Sequence, residues 1–176
     1  MALALAGTVT INSRLRGNLN MYLVLGPMRT GTSRVMKTLV DSGIPLLGKQ
    51  FPTGLDPKMN VHGFFQMDDD DYYDYEYSDK DKGKAHKTSF LFLDKIPSEI
   101  VTKAFVCFRN KDTHRDSCRK YMLSIGIKEM PEILFQTLLD NEYINIFSYL
   151  NKNSVDWMPC FFERYDESEI LKGIGV

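Results

Sequence analysis

The sequence predicts an α/β fold of three layers, with a mainly parallel sheet between two layers of helices. Two short apolar runs, Met21 to Leu25 and Lys103 to Phe108, are typical of strands buried on both faces of such a sheet. Each run is followed by glycine or polar residues and then by a segment whose apolar side chains recur at helical spacing. A strand, a loop and a helix in this order indicate parallel α/β units.

The chain is interpreted as one domain. Its 176 residues fit the roughly 100 to 200 residues of a single domain with one sizeable core. Residues 1–20 are predicted to be an N-terminal appendage or an edge hairpin, and residues 21–176 to be the domain itself. Within the domain, the first helix is predicted over residues 34–41, with Gly43 as its stop signal.

The later elements are assigned from chain breakers and from apolar spacing. Five glycine and proline residues make residues 48–66 a loop over one end of the sheet. The elements predicted beyond it are, in order, the acidic segment 68–81, a short strand over residues 90–93, a short helix over 97–101, the strand over 103–108, helices over 113–125 and 131–150, a strand around Phe161 and Phe162, and a helical turn over 167–171.

The composition excludes several classes of protein. The chain is 43% hydrophobic and 26% charged, an ordinary globular profile, and no apolar run approaches the roughly 18 residues that a membrane-spanning helix needs. Its three cysteines form no C-x-x-C pair, which indicates a reducing compartment and no metal site. We therefore expect a soluble cytoplasmic protein with no membrane partner; the sequence leaves its oligomeric state open.

Charge is distributed unevenly along the chain. Residues 68–81 (DDDDYYDYEYSDKD) hold 8 of the 23 acidic residues and one of the 22 basic ones, so the rest of the chain carries a formal charge of +6. A positive body with one acidic segment suits a small anionic ligand better than a nucleic acid, which usually requires a strongly basic face. The acidic segment is interpreted as solvated, with its tyrosines packed inward; the alternatives are a mobile lid, a site that recruits a basic acceptor, or a target for tyrosine sulfation, since acidic residues flank its tyrosines.

The strongest motif is residues 26–33 (GPMRTGTS), which follow the first strand and open the first helix. In that position successive backbone amides and the positive end of a helix bind phosphate-like anions. The spacing matches G-x-x-x-x-G-[KT]-[ST], the P-loop pattern, but Thr32 stands where a nucleoside triphosphatase has lysine, and the positive charge is on Arg29. The alternative interpretation is a strand-to-helix turn without a ligand.

Residues 26–33 resemble the G-M-H-R-S-G-T-S loop of many bacterial sulfotransferases that use 3′-phosphoadenosine 5′-phosphosulfate. The resemblance implies a P-loop fold and this nucleotide as co-substrate, with no metal required. It also implies that Arg29 contacts the sulfonate and the bridging oxygen. The residues that the resemblance assigns to the 5′-phosphate are Thr30, Gly31, Thr32 and Ser33.

A second motif of the same family reads R-[ND]-P-x-[DE]-x-x-x-S and clasps the 3′-phosphate at the end of a later strand. Residues 103–117 (KAFVCFRNKDTHRDS) resemble it, which implies this role for Arg109 and Ser117, although Lys111 replaces the proline and Asp112 falls one place early. A strand end followed by the first turn of a helix can bring both side chains onto one phosphate. The alternative is a structural arginine at the strand end.

Two weaker similarities extend the resemblance over about residues 21–175. Residues 60–66 (NVHGFFQ) resemble the N-x-x-G-[FY]-[FW]-E segment of bacterial members, and residues 161–166 (FFERYD) resemble their late strand that ends in Y-E-[DN]-L. The C-terminal loop that usually covers the adenosine has no counterpart in this sequence.

Sulfonate transfer needs an acceptor oxygen in line with the leaving group, a cation for the leaving phosphate, and a base for the acceptor proton. Arg29 and Lys87 are the expected cations. Gln66 stands where relatives have glutamate and cannot take a proton at neutral pH. The candidate bases are therefore Asp68, His62 and His86.

The predicted function is transfer of a sulfonate from 3′-phosphoadenosine 5′-phosphosulfate to a hydroxyl or amine of a small-molecule or glycan acceptor. One alternative is a phosphotransferase of the nucleotide-kinase type, in which Ser33 would hold a magnesium ion. Another is a non-catalytic nucleotide-binding or interaction protein of the same fold, which Gln66 and the short chain favour.

Overall fold

The computed structural model describes residues 20–53, 58, 60, 63–127 and 131–176. Of the N-terminal segment predicted as an appendage or hairpin, residues 1–19 lie outside the described residues, as do His62 and the middle of the predicted loop. Both apolar runs are described, together with residues 26–53 after the first run and residues 109–127 after the second.

Within the described residues, four parallel strands form one sheet in the order β2-β1-β3-β4. The strands are β1 (Met21–Leu25), β2 (Ala85–Lys87), β3 (Val101–Phe108) and β4 (Trp157–Phe161). The predicted α/β class with a parallel sheet is confirmed. From β1 the chain moves to β2 on one side and then to β3 on the other, so the order of the strands reverses around β1. The carboxyl ends of β1 and β3 form the crevice in which sheets of this kind bind ligands.

Five α-helices accompany the sheet in the described part of the chain. They are α1 (Thr32–Asp41), α2 (Asp69–Asp74), α3 (Lys111–Ser124), α4 (Glu132–Lys152) and α5 (Glu167–Gly173). Short 3-10 turns lie at Asp79–Asp81, Phe90–Lys95, Ser98–Ile100 and Phe162–Arg164. None of the described helices combines the length and the apolar character that a membrane span requires.

Helices pack on both faces of the sheet because successive strand residues point to opposite sides. On one face, Leu23 and Leu25 belong to a core that includes Ile146 and Leu150 of α4. On the other face, Tyr22, Val24 and Phe105 belong to a second core that includes side chains of α1 and α5. The three layers expected from the sequence are therefore present.

The prediction of a strand at residues 90–93 is wrong, since Phe90–Lys95 is a 3-10 helix. The Ser89 hydroxyl accepts a hydrogen bond from the Leu91 amide at 3.4 Å, which caps a helical turn. Phe92 stacks on Tyr72 with a ring separation of 4.8 Å, a contact that local sequence does not reveal. The last strand was also misplaced: it ends at Phe161, and residues 162–164 form the turn after it.

Three of the four tyrosines of the acidic segment pack inward, as expected, whereas Tyr73 is 66% exposed. Tyr72 and Tyr77 are buried, and the Tyr72 hydroxyl donates to the carbonyl of Lys87 at 2.7 Å. The Tyr75 hydroxyl donates to the fully buried carboxylate of Asp81 at 2.6 Å. This packing joins the acidic segment to β2.

We expect Ile146→Ala to lower the free energy of unfolding by about 2 to 5 kcal/mol, because Ile146 is 2% exposed and fills the core between α4 and the sheet. Ile144→Ala, two residues away on the same helix, is the matched control: Ile144 is 60% exposed, and its loss should change stability by less than about 0.5 kcal/mol. Urea denaturation measures both. Equal effects would contradict the described orientation of α4.

Candidate functional site

A cavity of about 1260 Å³ opens where β1 and β3 end, at the point where the strand order reverses. Its cationic lining residues are Arg29, Arg34, Lys37, Lys87 and Arg109. Apolar side chains of α3 and α4 form another part of its wall, namely Met122, Phe135, Leu138 and Leu139. The cavity therefore offers positive charge and an apolar surface side by side.

The loop between β1 and α1 takes a conformation that requires its two glycines. Gly26 has a φ of 146°, and a Cβ there would lie 2.8 Å from the Thr30 Oγ1 and 2.9 Å from the carbonyl oxygen of Cys107. Gly31, with a φ of 100°, is the N-cap of α1, and a Cβ there would lie 2.9 Å from the Phe162 ring. Both positions exclude larger residues, so the spacing of the glycines in the motif has a steric cause.

Hydrogen bonds from the loop itself and from α3 hold this conformation. The buried Thr30 hydroxyl donates to the Pro27 carbonyl at 2.7 Å, so it closes the turn instead of facing a ligand. The His114 Nε2 donates to the Met28 carbonyl at 2.7 Å, and the Cys118 thiol approaches the same oxygen at 3.6 Å. The loop is therefore fixed before any ligand binds.

The N-terminus of α1 borders the cavity. Gly31 caps this helix without a side chain, and among the described residues no side-chain oxygen accepts from the first-turn amides. The Arg34 amide donates to the Gly31 carbonyl at 2.9 Å, whereas the amides before it have no carbonyl partner within a helix; together with the helix dipole they favour an anion. Thr32 and Ser33, which begin α1, both line the cavity.

Arg29 joins the two sequence motifs. Its Nε donates to the Ser117 hydroxyl on α3 at 3.2 Å, across 88 positions of the chain. Its φ of 67° lies in the left-handed region, which non-glycine residues seldom adopt, and such strain is often found at functional sites. The guanidinium also lies 5.7 Å from the centre of the Tyr121 ring.

Arg109 lies at the end of β3 and reaches back to the same loop. Its Nη1 donates to the carbonyl of Arg29 at 3.0 Å, and its guanidinium lies 4.0 Å from the centre of the Phe162 ring. Phe162 also closes the space beside Gly31, a role that the sequence did not indicate. Arg109 thus contacts Arg29, which in turn donates to Ser117; Ser117 itself is not part of the cavity lining.

Glu163 stabilises the turn between β3 and α3. Its Oε1 accepts hydrogen bonds from the Asn110 amide at 3.0 Å and from the Thr113 hydroxyl at 2.8 Å. Burial acts to raise the pKa of Glu163, but these hydrogen bonds hold the pKa below its ordinary value. The carboxylate therefore helps to orient the strand end that carries Arg109.

Lys87 is the last residue of β2 and reaches toward α1. Its Nζ donates to the Phe64 carbonyl and, at 3.3 Å, to the Ser33 hydroxyl. Burial lowers the pKa of Lys87 to about 7, and the positive charge of Arg29 acts in the same direction. The strand that carries Lys87 pairs directly with β1.

Three cations meet at the loop without a carboxylate partner. Among the described residues, Arg29, Lys87 and Arg109 form no ion pair; their hydrogen bonds go to hydroxyl and carbonyl groups. Positive side chains held close together repel one another, and a bound anion would relieve that repulsion. The arrangement is typical of a site for phosphate or sulfonate groups.

Neither described candidate base lines the cavity. Asp68 forms an ion pair with Lys49 and accepts from the Thr53 amide at 2.6 Å; the bond from Lys49 lowers the pKa of Asp68. His86 is fully buried, its Nε2 lies 2.8 Å from the Tyr77 hydroxyl oxygen, and burial lowers its pKa to about 4. The third candidate, His62, lies outside the described residues.

Glu142 lines the cavity from α4, a position that neither sequence motif indicated. Burial raises the pKa of Glu142 to about 7. A signal was present, because Leu139 and Ile146, three residues before and four after, are buried on the same side of the helix. An acidic residue between them at helical spacing indicates a carboxylate that faces the interior.

No family model, curated protein or solved structure matches the chain. Among the described residues, no group of three or more histidine, cysteine or acidic side chains is arranged to hold a metal ion. The function is therefore inferred from the two motifs and from the geometry of the cavity.

We expect Lys87→Met to alter how stability depends on pH. Between pH 7 and 8.5 the unfolded Lys87 keeps its proton, whereas the folded side chain, with a pKa of about 7, loses it. The unfolding free energy of the wild type should then rise with pH by about 1 to 2 kcal/mol relative to that of the variant. Urea denaturation at several pH values measures the difference.

The control for this prediction is Lys120→Met, since Lys120 is exposed on α3. Its unfolding free energy should run parallel to that of the wild type over the same pH range. A parallel course for Lys87→Met as well would show that Lys87 keeps its charge in the folded protein.

Proposed function

We propose that the protein is a sulfotransferase that moves a sulfonate from 3′-phosphoadenosine 5′-phosphosulfate to a hydroxyl or amine acceptor. One observation carries the proposal: Arg29 of the first motif is hydrogen-bonded to Ser117, and its carbonyl accepts from Arg109. The loop suited to a 5′-phosphosulfate and the pair suited to a 3′-phosphate are thus immediate neighbours. A nucleotide that carries both groups matches this arrangement.

In this proposal the chain's own groups have distinct roles. The first amides of α1 hold the 5′-phosphate, and Arg109 with Ser117 holds the 3′-phosphate. Arg29 and Lys87 stabilise the negative charge that grows on the bridging oxygen as the bond from sulfur to oxygen breaks. The donors are fixed by hydrogen bonds before the nucleotide binds, which lowers the cost of reorganisation during the reaction.

The contacts of Ser33 argue against a nucleotide kinase. In that class the equivalent hydroxyl binds magnesium. Here Lys87 donates to the Ser33 hydroxyl at 3.3 Å, so a cation already lies at this position. Thr32, which replaces the P-loop lysine, is 9% exposed and carries no charge for a γ-phosphate.

The apolar wall favours a small-molecule acceptor with an apolar portion. Leu138, Leu139 and Phe135 line the same cavity as Arg29. A glycan would need many polar partners, whereas an apolar body gains from burial against these side chains.

A second candidate is a nucleotide-binding protein without catalytic activity. It is favoured by the lining of the cavity. Gln66, which cannot take a proton, lines the cavity, whereas Asp68 and His86 do not line it. This candidate shares the nucleotide site and differs only in the absence of transfer.

We expect adenosine 3′,5′-bisphosphate to raise the melting temperature of the protein in the absence of metal. ATP should stabilise it weakly, with or without magnesium, because the loop lacks the P-loop lysine and Arg109 would find no 3′-phosphate. Thermal-shift measurements compare the ligands, since stabilisation follows RT ln(1 + [L]/Kd). Strong stabilisation by ATP that requires magnesium would contradict the proposal and favour the kinase.

We expect Arg109→Ala to weaken binding of adenosine 3′,5′-bisphosphate by about 1.5 to 3 kcal/mol, the usual contribution of hydrogen bonds to a charged partner. Binding of adenosine 5′-phosphosulfate, which has no 3′-phosphate, should change little. Calorimetric titration measures both affinities. Arg115→Ala is the control, because Arg115 pairs with Glu132 on the surface.

Equal losses for the two nucleotides would mean that Arg109 acts only by holding the Arg29 carbonyl. The assignment of Arg109 and Ser117 to a 3′-phosphate would then be withdrawn.

A further inference from the structure

Glu142 is the one carboxylate among the described residues that line the cavity. It shares that lining with five cationic side chains, of which Arg29 and Lys87 lie at the loop after β1. A single acidic group inside a cationic cavity weakens the attraction for an anionic ligand. Its presence is explained if the carboxylate has a chemical role there.

The carboxylate is not used in any structural contact within the described part of the chain. Asp68, Asp81 and Glu163 each accept hydrogen bonds from named donors. No described donor hydrogen-bonds to Glu142, and no described cation forms an ion pair with it. Both of its oxygens are therefore free to accept a proton or a hydrogen bond from a bound molecule.

Glu142 shares the cavity lining with the loop after β1, and its neighbour on α4 contacts β3. The next residue, Tyr143, donates to the Cys107 carbonyl at 2.9 Å, and this is the oxygen that a Cβ on Gly26 would meet at 2.9 Å. The glutamate is thus one residue from a side chain anchored beside the first residue of the loop. The charges of Glu142 and Arg29 also act in opposite directions on the pKa of the same thiol, Cys118.

We propose that Glu142 is the general base that takes the proton from the acceptor. This rests on the proposed sulfotransferase function. As the acceptor oxygen forms its bond to sulfur, its proton passes to the Glu142 carboxylate. The bond from sulfur to the bridging oxygen breaks, and adenosine 3′,5′-bisphosphate leaves with the bonding electron pair, its charge stabilised by Arg29 and Lys87.

The surroundings suit this role. Leu138 and Leu139 lie on the preceding turn of α4 and line the cavity. Burial raises the pKa of Glu142 to about 7, which is close to the value at which a base is most effective near neutral pH. The same apolar side chains would keep water away from the carboxylate while it takes the proton.

Other titratable groups lie close to the loop that borders the cavity. Cys118 and His114 of α3 both contact the Met28 carbonyl; burial raises the pKa of Cys118 to about 11 and lowers the pKa of His114. Arg29 and Arg109 contribute fixed positive charge, and Lys87 has a pKa of about 7. The rate should therefore rise as Glu142 ionises and fall as Lys87 loses its proton, which gives a narrow bell-shaped pH profile.

The test measures sulfonate transfer by the full chain from 3′-phosphoadenosine 5′-phosphosulfate to the best acceptor in a panel of phenols, alcohols, amines and sugars. Glu142→Gln should lower kcat about 10²-fold or more and remove the acidic limb of the pH profile. Its affinity for adenosine 3′,5′-bisphosphate should not fall. Glu142→Asp, which keeps the carboxylate, should retain the acidic limb and recover part of the rate.

Glu132→Gln is the matched control, because Glu132 lies on the same helix and pairs with Arg115 on the surface. It should leave kcat and the pH profile unchanged. A wild type that transfers sulfonate, with Glu142→Gln equal to it in rate and profile, would overturn the role of Glu142 and leave the proposed function standing. Loss of nucleotide binding in both Glu142 variants would show a structural role instead. A wild type that transfers to no acceptor would overturn both proposals.

Discussion

The position of β1 between β2 and β3 is the constraint on which the site depends. Because all three strands are parallel, their carboxyl ends meet at one edge of the sheet. This edge receives the glycine loop from β1, Lys87 from β2 and Arg109 from β3. The hydrogen bond from Arg109 to the Arg29 carbonyl then fixes two of these groups to each other. Three segments far apart in the sequence thus form one cationic surface.

The electrostatics of this edge favour ligand binding over stability of the free protein. Removing Lys87 from water costs free energy, which is why its pKa falls to about 7. Arg29 and Arg109 lie close to it with no carboxylate partner among the described residues. Elsewhere, at Lys84 with Asp81 and at Lys103 with Asp156, the chain pairs its charges. Arg29, Lys87 and Arg109 instead lie together, without an ion pair among the described residues, at the edge where the proposed nucleotide binds.

Much of the fold could be predicted because its main strands carry their own signal. β1 and β3 are apolar runs, and their burial on both faces of the sheet explains that composition. β2 (AHK) has only three residues and contains no such run. It is a strand because it pairs with β1. The turn at Phe90–Lys95 likewise depends on the Ser89 cap and on the contact between Phe92 and Tyr72. Such information lies in tertiary contacts that a single sequence does not show.

The candidate site also has some features that the sequence could predict and others that depend on tertiary contacts. The glycines of the loop were predictable, since their conformations exclude a Cβ and leave a fixed spacing in the sequence. The hydrogen bond from Arg29 to Ser117 was not predictable from the motifs, since the second motif pairs Ser117 with Arg109. Phe162 was missed because it acts through Gly31, far away along the chain, and Glu142 was missed because the sequence does not show that this side of α4 borders the cavity. Asp68 was proposed as a base because the sequence does not show its ion pair with Lys49.

The most direct test of the central claim is the crystal structure of the protein with adenosine 3′,5′-bisphosphate. The account predicts that the 5′-phosphate lies within hydrogen-bonding distance of the amides at the start of α1. The 3′-phosphate should contact Arg109 and Ser117. A nucleotide bound elsewhere, or with its 3′-phosphate away from Arg109 and Ser117, would contradict the account.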